Sequence, residues 1–391
     1  MIHSLELSGY RGFPRFTMSG LGHVNLIVGR NNSGKTAILE SLQLLASGSD
    51  PNALWRILSR RGEVLVSEPL PNRVPQAEID VAHLFYGHEV QPGAQLRIST
   101  TNQQPSRSLQ YVISEAKPED SPVLFAQQVG EDPTATRLAI KISGTPSFSL
   151  PPIPISRQGA VRNEVLQHLA NIAPRLARRP TGVSQYIPGE SLPVGELLAF
   201  WNSIVLTPDE ERVTEALRFI DEKIERVASV GMAPVYYPGY ASFPAHGGFA
   251  VRLRETSKKT NGKSEEGNEK DKRVPIGSFG DGIWRILGLA VAVSRANDNL
   301  LLVDEIDTGL HYSVMADMWK MIYEAADRFN VQVFATTHSY DCVHSLASIC
   351  REVNDSESQI TIHRIETGKT ESVRFTEKQI KTAANREIEI R

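Results

Sequence analysis

A mixed α/β fold organised on a phosphate-binding turn is what this sequence predicts, and three stretches carry the prediction. Residues 26–36 read LIVGRNNSGKT, an apolar run that stops at Gly29 and continues as G-x-x-x-x-G-K-[ST], with Gly29, Gly34, Lys35 and Thr36 in the defining places. Residues 300–303, LLLV, form a wholly apolar run that delivers Asp304 and Glu305 at its end. Residues 331–336, VQVFAT, form another, ending in Thr337, His338 and Ser339. Short continuous apolar runs of this kind are strands buried on both faces, as in a mainly parallel sheet.

The whole chain sets the bounds. Its 391 residues are enough for two or three domains and a sizeable core. A composition of 40% hydrophobic and 22% charged residues is that of a soluble globular protein. The formal net charge of -3 argues against a generally basic chain that coats nucleic acid, and leaves a local basic groove open. Two cysteines, Cys342 and Cys350, are too few for a disulfide framework or a four-ligand zinc site; their spacing places them on one helix face as small buried side chains. No apolar run approaches the ~20 residues of a membrane span, and the start MIHSLELSGYRGF lacks a signal-peptide core, so a reducing cytoplasm is the expected compartment.

Taken in order, the chain begins with a strand over 2–7 and a turn over 9–13, and residues 16–26 lead into the buried strand 24–28. Tyr10, Arg11, Phe13, Arg15 and Phe16 make a basic and aromatic cluster, which composition reads as an ordinary surface turn rather than a base or partner contact. After Thr36, Ile38, Leu39, Leu42 and Leu45 recur at helical spacing, and Ser, Gly, Asp and Pro end that helix at 47–51. A short helix over 53–61 follows. Runs at 77–85, 95–100, 109–114 and 138–142, separated by turn formers, predict antiparallel strands, a β-rich arm over about 76–150.

Pro151, Pro152 and Pro154 mark a boundary, and 151–229 is predicted as a helical insertion with helices over 161–178, 194–206 and 207–229. The last is the best defined. Thr207 and Glu210 form a capping box with Pro208 at the first helical position, and Val213, Leu217, Ile220, Ile224 and Val227 make an apolar stripe that packs on neighbouring helices. Short strands return at 232–255, and 257–273, SKKTNGKSEEGNEKDKR, reads as a flexible mixed-charge loop. The tail holds strands at 360–365 and 371–375 and a polar helix to the end.

Residue chemistry then assigns candidate roles. Gly29 and Gly34 let the segment Arg30, Asn31, Asn32 and Ser33 fold so that backbone amides point inward at a polyphosphate, and the following helix adds its positive end. Lys35 would reach the β- and γ-phosphates and Thr36 would sit on Mg²⁺. Ser278, Gly280 and Gly282, in VPIGSFGDG, place a hydroxyl and bare amides at a helix start, a weak anion signal because Ser and Gly are common there. Asp304 is placed to face the metal through water and Glu305 to orient the attacking water as general base. His338, at the C-terminal edge of a parallel strand, could sense the γ-phosphate.

The order of motifs (a YRGF turn, GRNNSGKT, a long insertion, SFGDG, LLLVDEID and TTHS) resembles the ATP-binding-cassette ATPases of the RecF, SMC and OLD kind. The resemblance covers about 1–50 and 274–350. It implies an ABC-type P-loop ATPase head made discontinuously from 1–150 and 230–391, using ATP and Mg²⁺. Lys35 and Thr36 would bind phosphate and metal, Asp304 the metal, Glu305 the water and His338 the γ-phosphate. Ser278 and Gly280 would belong to a signature that closes in trans on the nucleotide of a facing subunit, giving an ATP-dependent homodimer. Phe279, Asp281 and His311 depart from the transporter pattern, and DTGLH is similar to the OLD and RecF side. Gln76, Gln127 and Gln128 are candidates for the Q-loop glutamine. The chain leaves no room for a C-terminal TOPRIM domain, which implies a separate effector, such as a TOPRIM-type nuclease, or DNA as partner, in anti-phage defence or DNA repair. A membrane-transporter subunit and a low-turnover ATP-sensing module are the alternatives, and the absence of NKxD disfavours a GTPase.

Overall fold

Hairpin β1 (Ser4–Tyr10) and β2 (Phe13–Ser19) opens the chain, with Tyr10 paired to Phe13 across a two-residue turn. Such turns need left-handed backbone, which Arg11 supplies at φ 48°. The computed structural model describes residues 1–66, 77–101, 106–115, 119, 122–124, 138–145, 148–176, 184–190, 192–231, 248–254, 273–352, 359–386 and 388–390. The architecture is α/β, in two compact units: Met1–Ser184 with Ser358–Thr376, and Gln185–Glu357 with Glu377–Arg391.

In the first unit, β3 (Val24–Val28) is buried along its whole length and feeds α1 (Lys35–Ser47), followed by α2 (Asn52–Arg60). Next come β4 (Val64–Val66), β5 (Ala77–Asp80), β6 (Gln95–Ser99), β7 (Ser108–Glu115), β8 (Leu138–Thr145), β9 (Phe148–Ser149), β10 (Ile153–Ile155), β11 (Ala160–Arg162) and α3 (Asn163–Leu176). The β-rich arm is an antiparallel sheet in the order β10-β8-β7-β6-β1-β2, with β9 on β8, and a smaller sheet runs β11-β5-β4. The strand expected over 77–85 stops at Asp80. There the carboxylate accepts the Ala82 N–H (2.9 Å) and starts a 3₁₀ turn, Val81–Leu84.

The second unit begins with a strand that hydrophobic patterning missed, β12 (Gln185–Ile187), three residues long and stopped by Pro188. Then come α4 (Val194–Trp201), α5 (Pro208–Leu217), β13 (Ile224–Val230), β14 (Gly248–Leu253), β15 (Arg273–Pro275), α6 (Asp281–Arg295), β16 (Leu300–Val303), α7 (Tyr312–Arg328), β17 (Gln332–Thr336) and α8 (Tyr340–Glu352). β16 pairs in parallel with both β12 and β17. Cys342 and Cys350 are buried and free on α8.

The stretch 151–229, expected as helical, is mixed, and its best-defined helix is half a helix. The Thr207 hydroxyl accepts the Asp209 N–H (3.3 Å), whereas Glu210 reaches back to the N–H of Leu206 (2.7 Å) rather than that of Thr207. The helix ends at Leu217, and Asp221 turns the chain by accepting the Lys223 N–H (2.9 Å). Residues 224–230 then pair antiparallel with β14. A register shift between Ile224 and Arg226 lets Ile224 and Val227, three apart, both face inward, and so a bulged strand imitated helical spacing. Of the strands expected at 232–255, β14 is described and 232–247 lie outside the described residues. So do Gln76, Gln127, Gln128 and residues 257–272 of the polar loop.

The chain returns to the first unit as β18 (Ile360–Arg364), parallel to β3, and β19 (Val373–Thr376), antiparallel to β18, and ends with α9 (Glu377–Asn385) in the second. Among the described residues no helix is long and apolar enough to cross a membrane. Beneath β3 lies a buried polar chain. Asn25 exchanges hydrogen bonds with the backbone of Gly22, Thr361 Oγ1 donates to Asn25 Oδ1 (2.8 Å), and the His363 ring nitrogens face Thr361 (3.2 Å) and Ser372 (3.1 Å). Burial, reinforced by Arg374, pushes the His363 imidazole down to about 3.

Because that value is depressed in the folded state, the stability tied to neutral His363 is full above about pH 6.5 and is lost as pH falls toward 3. Linkage then predicts a loss of about 2 kcal/mol between pH 7 and pH 5. Urea midpoints should drop over that interval in the wild type and drop less in His363→Gln; equal drops would contradict this.

Candidate functional site

The loop between β3 and α1 is shaped by positive-φ backbone that suits glycine and, in the left-handed region, asparagine. Gly29 has φ 146°, Asn32 62° and Gly34 98°. A Cβ at Gly29 would stand 2.5 Å from the Ile365 carbonyl oxygen, and one at Gly34 would stand 2.4 Å from Phe13 Cζ. Both positions therefore require glycine on two counts, conformation and space. Lys35 Nζ spans the loop, donating to the carbonyls of Gly29 (2.8 Å) and Arg30 (2.9 Å). Arg30, Asn31 and Asn32 are exposed, Lys35 and Thr36 half-buried. The Ser33 hydroxyl is buried with no hydrogen-bond partner among the described residues. Bare glycines, an orphaned hydroxyl, a lysine and a helix N-terminus fit a polyphosphate.

The YRGF cluster is not the surface turn that composition suggested. Tyr10, Arg11, Phe13 and Phe16 are buried, and of the five only Arg15 is exposed. Apolar packing of Phe13 on Phe16 (centroids 4.7 Å apart) sets the ring behind Gly34.

In the second unit, the C-terminal ends of β16 and β17 bring Asp304, Glu305 and His338 together, where open α/β sheets present ligands. Thr336 Oγ1 donates to Asp304 Oδ1 (2.5 Å) and accepts the Glu305 N–H (2.8 Å). Tyr186 on β12 donates to Asp304 Oδ2 at 3.4 Å. Carboxylate oxygens of this kind are hard donors that suit Mg²⁺. Glu305 sits at φ 44°, a region that costs an ordinary residue on the order of 1–3 kcal/mol. Its carboxylate is half exposed, 3.9 Å from His338 Nδ1 and 3.3 Å from Thr308 Oγ1. Gly189 leaves room for it, since a Cβ there would be 3.3 Å from Glu305 Oε2.

Arg285, which the sequence reading passed over, holds this turn. The guanidinium is 2% exposed and donates to the carbonyls of Pro188 (2.6 Å), Asp304 (2.7 Å) and Glu305 (2.8 Å). Burial pushes it down to about 10, with Asp307, Asp304 and Glu305 opposing. An arginine inside the apolar helix of Ile283, Ile286 and Leu287 was the available signal. α6 begins within SFGDG, at Asp281, with Gly280 as its cap. Ser278 and Gly280 are exposed, Gly280 at φ 81°, while Gly282 packs against the loop that follows Glu305, where a Cβ would meet the Gly309 carbonyl at 3.0 Å. His311 caps α7, its ring accepting the Ser313 N–H at 3.4 Å.

A glycine-walled cradle after a buried strand, with paired carboxylates after another, defines a P-loop nucleotide-binding protein. The family model "AAA domain, putative AbiEii toxin, Type IV TA system" matches residues 24–341, and the chain belongs to this family. A Helicobacter pylori protein named "ATP/GTP phosphatase" is 23% identical over 381 residues, 90% of this chain and 89% of that protein. A Methanocaldococcus jannaschii protein, "Uncharacterized protein MJECL10", is 34% identical over 55 residues, 14% of this chain and 25% of its own. Among solved structures, an Smc head bound to the C-terminal winged-helix domain of ScpA aligns at TM-score 0.45 and 13% identity, over 96% of this chain and 98% of that one. The SMC head domain from Thermotoga maritima aligns at 0.41 and 13%, with the same coverage.

Replacing Arg285 by Met leaves buried carbonyls unpaired and should lower the unfolding free energy by about 3 kcal/mol in urea titration. A change under about 0.5 kcal/mol would show that the clamp contributes nothing.

Proposed function

We propose that the protein is a Mg²⁺-dependent ATPase of the ABC type, OLD- and RecF-like, in which the Gly29–Thr36 cradle and the Asp304, Glu305 and His338 cluster act on the same nucleotide. The observation that carries this reading is Glu305: a half-exposed carboxylate held at an unfavourable φ by Thr336 and Arg285, beside a histidine and next to Asp304.

In this reading the loop amides and Lys35 bind the phosphates. Thr36 and Asp304 would hold Mg²⁺, which supplies charge neutralisation on the phosphate oxygens. Glu305 accepts a proton from the attacking water as it orients it. His338 contacts the γ-phosphate and hands its presence to Glu305. Ser278, Gly280 and Gly282 close in trans on a second copy's nucleotide, so that ATP favours a homodimer. The relative's printed name supports nucleotide hydrolysis, and ATP as preferred substrate is our assignment. A separate effector protein, such as a TOPRIM-type nuclease, or DNA is the partner that the dimer would switch, in defence or repair in the cytoplasm.

Lys35→Ala should bring phosphate release to background. Glu305→Gln should bind ATP yet turn over ~10²–10⁴-fold more slowly, the usual contribution of a general base. Size-exclusion chromatography with ATP should then show Glu305→Gln as a dimer; a monomer with ATP bound would exclude closure in trans.

A further inference from the structure

Four charges, of which Arg11 and Glu40 are buried, Glu63 half-buried and Arg61 exposed, join the β1–β2 turn to the helix that follows the cradle. Arg11, 7% exposed, presents Nη1 and Nη2 to the two oxygens of Glu63 (2.8 and 3.1 Å) and Nε to Glu40 Oε2 (3.0 Å). Glu40, wholly buried on α1, also accepts from Arg61 Nε (2.7 Å). Burial pushes the Glu40 carboxyl up, with Arg11 and Arg61 opposing. The Arg11 backbone is tied down as well, its N–H donating to the Leu84 carbonyl (2.9 Å).

We propose that Arg11 and Glu40 are positioning residues for the phosphate cradle: their ion pair fixes the turn relative to α1, and so keeps the Phe13 ring against Gly34. This rests on the ATPase reading. A single residue, Gly12, separates Arg11 from Phe13, and α1 carries both Glu40 and, at its start, Lys35. A shift of the turn would therefore move Phe13 against the glycine whose left-handed backbone shapes the cradle.

Stability does not explain the pair. Apolar residues of similar volume usually replace a buried ion pair at no cost, or with a gain of ~1–4 kcal/mol. What apolar packing lacks is direction. A guanidinium forked onto Glu63 and facing Glu40 has one orientation, whereas methyl groups slide. Removing one partner alone is a different matter, because it strands a buried charge at ~3–5 kcal/mol.

The test separates position from stability. Arg11→Met/Glu40→Met/Glu63→Met, which leaves no buried carboxylate without its guanidinium, should melt within a few degrees of wild type, while the KM for ATP rises about tenfold or more and kcat changes less than threefold. Phe13→Leu, which keeps the core apolar and removes the ring, should raise KM in the same direction. If the triple variant does not fold, Phe13→Leu decides alone. A KM within twofold of wild type in a folded triple variant, or in Phe13→Leu, overturns the proposal. Wild-type protein that binds no ATP would overturn the ATPase reading and this proposal together, whereas normal wild-type binding with unaffected variants overturns the proposal only.

Discussion

Main chain held in left-handed conformation is the constraint on which this protein's candidate chemistry depends. Gly29, Asn32 and Gly34 shape the loop, Glu305 the turn after β16, and Arg11 the turn that sets Phe13 behind the loop. Glycine meets this requirement by itself, but Arg11 and Glu305 do not. Each of those two turns is instead held through a buried arginine. Arg11 holds its own turn through the carboxylates of Glu63 and Glu40, and Arg285 holds that of Glu305 through backbone carbonyls.

The two arginines work by different physics. Arg11 sits among opposite charges, so its cost of burial is offset by Coulombic attraction. Arg285 has carbonyl dipoles as its hydrogen-bond partners, and burial draws it down to about 10, still cationic at neutral pH. Because those carbonyls belong to Asp304 and Glu305 themselves, the charge fixes where the carboxylates start from without neutralising them. Neutral hydrogen bonds from Thr336 complete the orientation.

Contiguous chemistry was legible in the sequence. The cradle, DE after β16 and TTHS after β17 each place their groups within a few residues of a buried strand, and the strand ends alone bring Asp304, Glu305 and His338 close. What was not legible came from distant partners. Tyr186, Gly189 and Arg285 meet the carboxylates through tertiary packing, and β12 is too short to show a period. The YRGF cluster was misread because Arg11 and Tyr10 score as surface residues, while Glu40 and Glu63, which make their burial possible, lie elsewhere in the chain. The false helix over 207–229 has a local cause, the bulge that spaces Ile224 and Val227 as a helix would.

The proposed hydrolysis by paired carboxylates and a metal-dependent cradle is most directly measured as phosphate release from ATP by the wild-type protein, with Mg²⁺ and with excess EDTA. Saturable release that EDTA abolishes is expected from Thr36 and Asp304 as metal ligands. Release that persists unchanged in EDTA, or no release above buffer in Mg²⁺, would contradict it.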